Sequence, residues 1–157
     1  MTIDVTSSSG YQDSKTISLL EKFGEYSQYL LPAATAIGAA VTGNMSVIAG
    51  MAVCSIAQKI SLVKLKSLFP RERPRPYYFG KISKMDHQSF PSGHSAGAFL
   101  SFGLCMKLYG FAPQTILALG AASLVGASRV LCKKHWTTDV IAGALIGTSF
   151  GYLSGCF

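Results

Sequence analysis

Long stretches of this chain carry no charged side chain, among them residues 26–58, 108–128 and 140–157. Runs of about 17–25 such residues are long enough to cross the hydrocarbon core of a bilayer as helices. The alternative is a buried helical core in a soluble protein. A soluble domain of this size needs polar helix faces, whereas these runs are Ala, Gly, Ser, Leu and Ile on nearly every face. The sequence therefore predicts an integral membrane protein.

The first charge-free run is too long for one simple span and contains a turn signal at Gly43-Asn44. We therefore predict two spans there, and rank one long tilted helix second. Further runs follow the polar connection. The predicted fold is an all-α transmembrane bundle of about five spans, at residues 27–43, 45–65, 94–108, 114–127 and from 136 or 140 to 157.

The amino-terminal part is more polar than the rest of the chain. In residues 15–28, Ile17, Leu20 and Phe23 recur among charged residues with helical spacing. This spacing predicts a short amphipathic helix at the membrane surface, with a soluble helical lead-in as the alternative. We divide the chain into a polar N-terminal lead with this amphipathic helix, residues 1–25, and a membrane domain, residues 26–157.

The connection at residues 64–90 is the most basic part of the chain, and the net charge is +7. The second span ends at this connection, the third begins there and the fourth returns to it. The topology therefore gathers chemistry-bearing residues at one membrane face: Lys66, Arg73, Ser92, His94, Arg129 and His135. Their positive charge suits a phosphate group.

Two short motifs lie in this group. In Phe90-Pro91-Ser92-Gly93-His94, Ser92 can cap a helix and Gly93 lets backbone N–H groups approach an anion. His135 and Asp139 stand at i and i+4, which predicts that they share one helix face. Asp139 is costly near a span unless it is paired, and a carboxylate can hold an imidazole in one tautomer. These features predict a phosphate-transfer site.

The motifs and their spacing resemble a known signature: Lys66, six residues, Arg73-Pro74; then Pro91-Ser92-Gly93-His94; then Ser128-Arg129, five residues, His135, three residues and Asp139. This order is similar to that of the type 2 phosphatidic acid phosphatase superfamily. That superfamily includes lipid phosphate phosphatases, bacterial soluble acid phosphatases and vanadium haloperoxidases. The resemblance covers about residues 60–155.

The resemblance implies a role for each motif residue. His135 would be the nucleophile that forms a phosphohistidine, Asp139 would orient it, and His94 would serve as acid and then base. The phosphoryl oxygens would be held by Lys66, Arg73, Ser92, Gly93 and Arg129. With seven carboxylates in the whole chain and no acidic cluster, we expect no metal and no cofactor.

The leading functional hypothesis is a membrane phosphatase that hydrolyses a lipid phosphate or lipid diphosphate. Candidate substrates are phosphatidate, phosphatidylglycerophosphate, an isoprenyl diphosphate and a lipid A phosphate. The alternatives are a catalytically inactive membrane protein that binds anionic lipid, and a vanadate-dependent haloperoxidase. We expect membrane lipids and the phosphorylated lipid as partners and no nucleic acid, because no nucleic-acid-binding module is recognisable. The sequence gives no indication of oligomeric state.

Two topological expectations accompany the resemblance. Many membrane members of the superfamily have six spans with the first motif after the third, whereas here that motif follows the second of five. By resemblance, the chain belongs in a bacterial inner membrane with its site facing outward. The positive-inside rule places the site on the cytoplasmic face instead. Apart from the three proposed phosphate ligands, the side with the site carries nine Lys and Arg, and the other side carries essentially Lys107 alone. We favour the cytoplasmic face.

Overall fold

The computed structural model describes residues 9–74 and 87–157, which form an all-α bundle of five helices. They are α1 (Ser9–Val41), α2 (Met45–Leu68), α3 (Gly93–Tyr109), α4 (Pro113–Leu131) and α5 (Thr137–Ser154). Two of these helices, α2 and α4, are long and apolar enough by themselves to cross a membrane. The predicted fold class is confirmed, and the last three helices begin and end within a few residues of the predicted limits.

A tight turn separates α1 from α2 at the predicted Gly43-Asn44 signal. Gly43 has φ +74°, the left-handed region that a residue without Cβ adopts at little cost. The N–H of Asn44 donates to the carbonyl of Ala39 at 2.9 Å and closes the turn. The alternative of one long helix through both spans is therefore wrong.

The amphipathic segment is not a separate short helix, and its place at the membrane surface stays a prediction. It forms the first half of α1, which continues without a break for 33 residues. The carboxylate of Glu21 pairs with Lys134 Nζ at 2.6 Å, beyond the end of α4. The segment is therefore held by the bundle itself. The division of the chain at residue 25 stays a prediction, although α1 runs through it.

Helices α3 and α5 form the most extensive helix pair of the bundle. Every fourth residue of α5 is a glycine along the contact, at positions 143, 147 and 151. A Cβ on Gly147 would overlap the carbonyl oxygen of Ala96, and one on Gly151 would overlap that of Leu100. Small residues at such positions let two helix backbones approach closely.

This close packing places the beginning of α5 beside the beginning of α3. Gly143 lies against the carbonyl oxygen of Ser92, and the N–H of Ser92 donates to the carbonyl of Asp139 at 2.9 Å. Two of the predicted motifs are thereby fixed relative to each other by backbone contacts.

Part of the basic connection falls outside the described residues. Arg75, Lys81 and Lys84, which we included in the charge count, belong to that part. Residues 1–8 are also outside the described residues. The orientation of the site relative to the membrane stays a prediction.

Candidate active site

The predicted site residues surround a cavity of about 440 Å³ bounded by α1, α2, α3 and the connections at its mouth. Of the eight predicted residues, five line this cavity: Lys66, Arg73, Gly93, His94 and His135. Asp139 lies behind His135 and is completely buried. Ser92 and Arg129 are also buried, and neither lines the cavity.

Ser92 acts as the cap of α3. Its hydroxyl accepts a hydrogen bond from the backbone N–H of Ser95 at 3.4 Å, as the sequence predicted for the start of a helix. Gly93 follows, and the space next to it is open, with nothing within 4 Å of a Cβ built there. The open approach to the helix N-terminus suits an anion. The Ser92 hydroxyl itself faces the interior.

Lys66 ties the end of α2 to the loop that precedes α3. Its ammonium donates to the carbonyls of Gln88 at 2.7 Å and Pro91 at 2.8 Å. An ammonium group has three donors, so one remains for a ligand in the cavity that Lys66 lines. Arg73 also lines the cavity, and its Nη1 lies 3.5 Å from the carbonyl of Lys134.

His135 does not share a helix face with Asp139, so that part of the prediction is wrong. It lies in the connection before α5, which begins at Thr137. The reason is local. The N–H of Trp136 donates to Asp139 Oδ2 at 2.9 Å. This contact makes Trp136 the N-cap, so the first helical residue is Thr137 and His135 precedes the helix. The two side chains nevertheless meet, with His135 Nδ1 at 3.7 Å from Asp139 Oδ2.

The closest partner of His135 is a backbone carbonyl. Nδ1 lies 2.8 Å from the carbonyl oxygen of Ser89. Because a carbonyl oxygen only accepts, this contact places the proton on Nδ1 and leaves the lone pair on Nε2. Burial lowers the pKa of His135 below its ordinary value of 6.5, the cations Arg73 and Lys66 lower this pKa further, and Asp139 opposes the shift. The ring is therefore held neutral and in one tautomer.

The buried carboxylate of Asp139 is satisfied on both oxygens. Oδ2 accepts from the Ser89 hydroxyl at 2.5 Å and from the Trp136 N–H, and Oδ1 accepts from Arg71 Nη1 at 2.8 Å. We expected His135 to be the partner of Asp139, but His135 Nδ1 lies 3.7 Å away and the shorter contacts are made by other residues. Arg71 is its direct charge partner, and Ser89 connects Asp139 to His135 through its hydroxyl and its carbonyl.

Arg71 and Ser89 are the residues that sequence reasoning missed. We counted Arg71 only as a flanking charge, although it also donates to the Thr138 hydroxyl at 2.6 Å and lies over the Trp136 ring at 5.4 Å. Backbone hydrogen bonds of 2.9 Å join Arg71 to His87 and Ser89. An arginine two residues before the Arg-Pro motif was the available signal.

We expect Arg71→Met to destabilise the fold around the site, because the buried Asp139 carboxylate loses its charge partner. The substitution removes a charge-assisted hydrogen bond, and the expected loss of unfolding free energy is about 1–3 kcal/mol. Thermal unfolding in detergent measures the change. Lys64→Met, on the exposed end of α2, is the control and should leave the unfolding temperature unchanged. Equal unfolding temperatures for Arg71→Met and the wild type would contradict this assignment.

Arg129 is placed differently from the prediction. The side chain is 2% exposed, and its guanidinium donates to the carbonyls of Leu20 at 3.1 Å and Glu21 at 2.6 Å. Its Nε donates to the hydroxyl of Ser128 at 3.2 Å. The group thus joins α4 to the first half of α1, next to the cavity but outside its lining.

The two motif histidines face each other across the cavity. The ring centroids of His94 and His135 are 6.4 Å apart, and the planes are inclined by 56°. This spacing leaves room for a group to contact both rings. His87, to which we gave no role, lies in the connection at 3.6 Å from the Glu72 carboxylate and is partly exposed. Within residues 9–74 and 87–157, no cluster of three or more His, Cys, Asp or Glu could hold a metal ion.

Comparison with known proteins identifies the class. The model of the PAP2 superfamily matches residues 32–156, so the chain belongs to the PAP2 superfamily. This confirms the resemblance seen in the motifs. The crystal structure of Aquifex aeolicus LpxE has the same fold, with a TM-score of 0.70 over 90% of this chain and 86% of that chain at 20% identity.

Individual relatives are similar over parts of the chain. A lipid A 1-phosphatase of Porphyromonas gingivalis is 35% identical over 49% of this chain and 18% of its own length. An Arabidopsis thaliana lipid phosphate phosphatase 1 is 44% identical over 41% of this chain and 24% of its own length. An undecaprenyl-diphosphatase of Sulfolobus acidocaldarius is 30% identical over 71% of this chain and 53% of its own length. The chain thus spans at most about half the length of these curated relatives.

Proposed function

We propose that this protein is an integral-membrane phosphatase that hydrolyses a lipid phosphate or diphosphate through a phosphohistidine. The observation that carries the proposal is the pair of imidazoles 6.4 Å apart across a cavity whose other charged lining residues are all cationic. The names of the three relatives each denote removal of phosphate from a lipid, which supports the same class of substrate.

In the first step, the lone pair on His135 Nε2 attacks phosphorus and the bond to the lipid oxygen breaks. His94, protonated together with the bound anionic phosphate, gives its proton to that oxygen, which leaves as the lipid alcohol or lipid phosphate. In the second step, neutral His94 takes a proton from water as the water oxygen bonds to phosphorus. The N–P bond then breaks, and its electron pair returns to His135. Two easier displacements replace one difficult hydrolysis.

The positive groups stabilise the charge that develops on the phosphoryl oxygens. Lys66 and Arg73 line the cavity, and the open N-terminus of α3 at Gly93 adds backbone donors. We include Ser92 and Arg129 as phosphate ligands by resemblance. Arg129 would reach the cavity only by turning from the carbonyls of Leu20 and Glu21, and Ser92 only by giving up its cap.

We expect the proton of neutral His135 to be on Nδ1 and the titration midpoint to lie below pH 6.5. The Ser89 carbonyl fixes the tautomer, and burial lowers the pKa of His135, so the ring stays neutral until the pH falls below the ordinary value. Nitrogen NMR of histidine-labelled protein in detergent measures both, with the His135 signals assigned by their loss in His135→Gln. A proton on Nε2, or a midpoint above 6.5, would contradict the mechanism.

Phosphate release from purified protein tests the proposed function. The panel contains phosphatidate, phosphatidylglycerophosphate, a polyprenyl diphosphate and a lipid A phosphate in the same detergent. We expect release from at least one lipid, with activity unchanged by EDTA. Binding of these lipids without release would favour the inactive lipid-binding protein. Bromide oxidation by the vanadate-loaded protein, without phosphate release, would favour the haloperoxidase.

For the location, we propose a bacterial cytoplasmic membrane. The apolar helices and the lipid substrates that the relatives' names state support an integral membrane protein. The excess of cations at the site end of the bundle supports a site that faces the cytoplasm. In intact cells, a single cysteine at position 64 of a cysteine-free chain should then resist an impermeant thiol reagent, whereas one at position 157 should react.

A further inference from the structure

The cavity extends from the histidines along one face of α2. Its lining includes Ser55, Gln58, Lys59, Leu62 and Lys66, whose spacing of three or four residues places them on the same side of the helix. Lys59 lies seven residues before Lys66, which corresponds to about 10 Å along the helix axis. The first three of these residues are polar, and we call Ser55, Gln58 and Lys59 the polar stripe of α2.

The polar stripe lies within a helix that is otherwise apolar enough to span the bilayer. Lys59 is nine residues from the end of α2 at Leu68, or about 13 Å by helix rise, which is inside the hydrocarbon core if that end lies at the interface. An ionisable residue at such a depth is costly and is typically retained at a binding site or along a polar path.

Nothing else in the described part of the chain satisfies these side chains. Gln58 is only 3% exposed and Lys59 is exposed, and no hydrogen bond or ion pair within residues 9–74 and 87–157 involves either side chain. Polar groups that face an apolar ligand without a partner cost free energy comparable to a lost hydrogen bond. Both side chains border the cavity, so a ligand there can supply the missing acceptors.

A substrate phosphate between His94 and His135 places the rest of the lipid along this face. In an acyl lipid phosphate, a glycerol or sugar backbone with ester, amide or hydroxyl oxygens follows the phosphate. In a polyprenyl phosphate, hydrocarbon follows the phosphate directly. Hydrocarbon beside Gln58 and Lys59 would leave both polar groups unsatisfied, whereas oxygen acceptors would satisfy them.

We propose that the polar stripe of α2 binds the oxygen-bearing backbone of an acyl lipid phosphate and selects such lipids over polyprenyl phosphates. Gln28 and Tyr29, from α1, also line the cavity and add polar side chains to this subsite. The proposal rests on the proposed phosphatase activity, and it names the part of the substrate that the catalytic residues do not touch.

Paired substrates test the proposal. The probes are phosphatidate, an acylated glucosamine 1-phosphate and a polyprenyl monophosphate of similar hydrophobicity, in the same mixed micelles. We expect Gln58→Leu and Lys59→Met each to lower kcat/KM about tenfold on the acyl lipids, which corresponds to one hydrogen bond of about 1.4 kcal/mol. Turnover of the polyprenyl phosphate should stay within twofold. If the variants lose more kcat/KM on phosphatidate, the oxygens belong to glycerol. If they lose more on the acylated glucosamine 1-phosphate, the oxygens belong to a sugar.

Controls separate failure of this proposal from failure of the proposed function. Lys64→Met removes an exposed lysine of the same helix that does not line the cavity, and it should change none of the rates. Ser55→Ala is a minimal second variant of the polar stripe. Equal losses on both lipid classes, or none on the acyl lipids, would overturn the subsite while leaving the phosphatase intact. Wild-type protein that releases phosphate from no lipid would instead overturn the proposed function.

Discussion

Replacing His135 by alanine should abolish phosphate release, with a loss of about three orders of magnitude or more in turnover. His135 is the buried imidazole whose Nδ1 lies against the Ser89 carbonyl, which leaves the lone pair of Nε2 free for the role of nucleophile that we propose. Without it, the remaining cations can bind a phosphate but cannot form the covalent intermediate. Phosphate release from a lipid that the wild type hydrolyses measures the effect.

Two further variants make this result specific. His135→Gln keeps most of the side-chain volume and should be as inactive as alanine, which separates lost chemistry from a packing defect. His87→Ala removes the partly exposed histidine beside Glu72 and should retain wild-type activity. A folded His135→Ala protein with wild-type turnover would show that another group attacks phosphorus.

Replacing Gly147 by leucine should destabilise the bundle and displace α3 from α5. A Cβ at this position already overlaps the carbonyl oxygen of Ala96 and approaches its carbonyl carbon to 2.9 Å. The obstacle is backbone, so α3 and α5 have to separate rather than rearrange a side chain. Overpacking typically costs about 1–3 kcal/mol, and here it also separates Ser92 from Asp139. We expect a lower thermal midpoint in detergent and little phosphatase activity.

Gly120 provides a matched control on α4. Nothing lies within 4 Å of a Cβ built there, so Gly120→Leu should fold and retain activity. Gly147→Ala should fall between the wild type and Gly147→Leu. If Gly147→Leu unfolded at the wild-type temperature, the close contact of α3 with α5 would be wrong.

The sequence predicted most of the helical architecture because the signals were local. Charge-free runs, the Gly43-Asn44 turn and the Ser92 cap each depend on neighbouring residues, and each is found in the structure. The continuity of α1 could not be read in this way. Its polar first half is stabilised by α4 and the turn after it, through contacts of Glu21 and Arg129 across more than 100 residues.

The sequence predicted five of the residues that line the cavity, but not the contacts that hold them in place. The motif spacing brought His94 and His135 together because the spans return to the same face. It did not show that Ser89 lies between His135 and Asp139, or that Arg71 is the charge partner of Asp139. Those contacts join residues 46 to 68 positions apart and follow from tertiary packing. Lys59 was missed because a single lysine does not prevent the prediction of an apolar span, and its sequence position alone does not show that it borders a cavity.

The position of Arg129 determines where this protein can be shortened. The predicted boundary at residue 25 suggests a chain beginning at residue 26 as the minimal unit. That truncation would delete Leu20 and Glu21, whose backbone carbonyls accept from a guanidinium that is 2% exposed. Each lost charge-assisted hydrogen bond costs about 2 kcal/mol when its donor stays buried. Because the acceptors are main-chain atoms, a substitution of the Leu20 side chain keeps these hydrogen bonds, whereas deletion of the segment removes them.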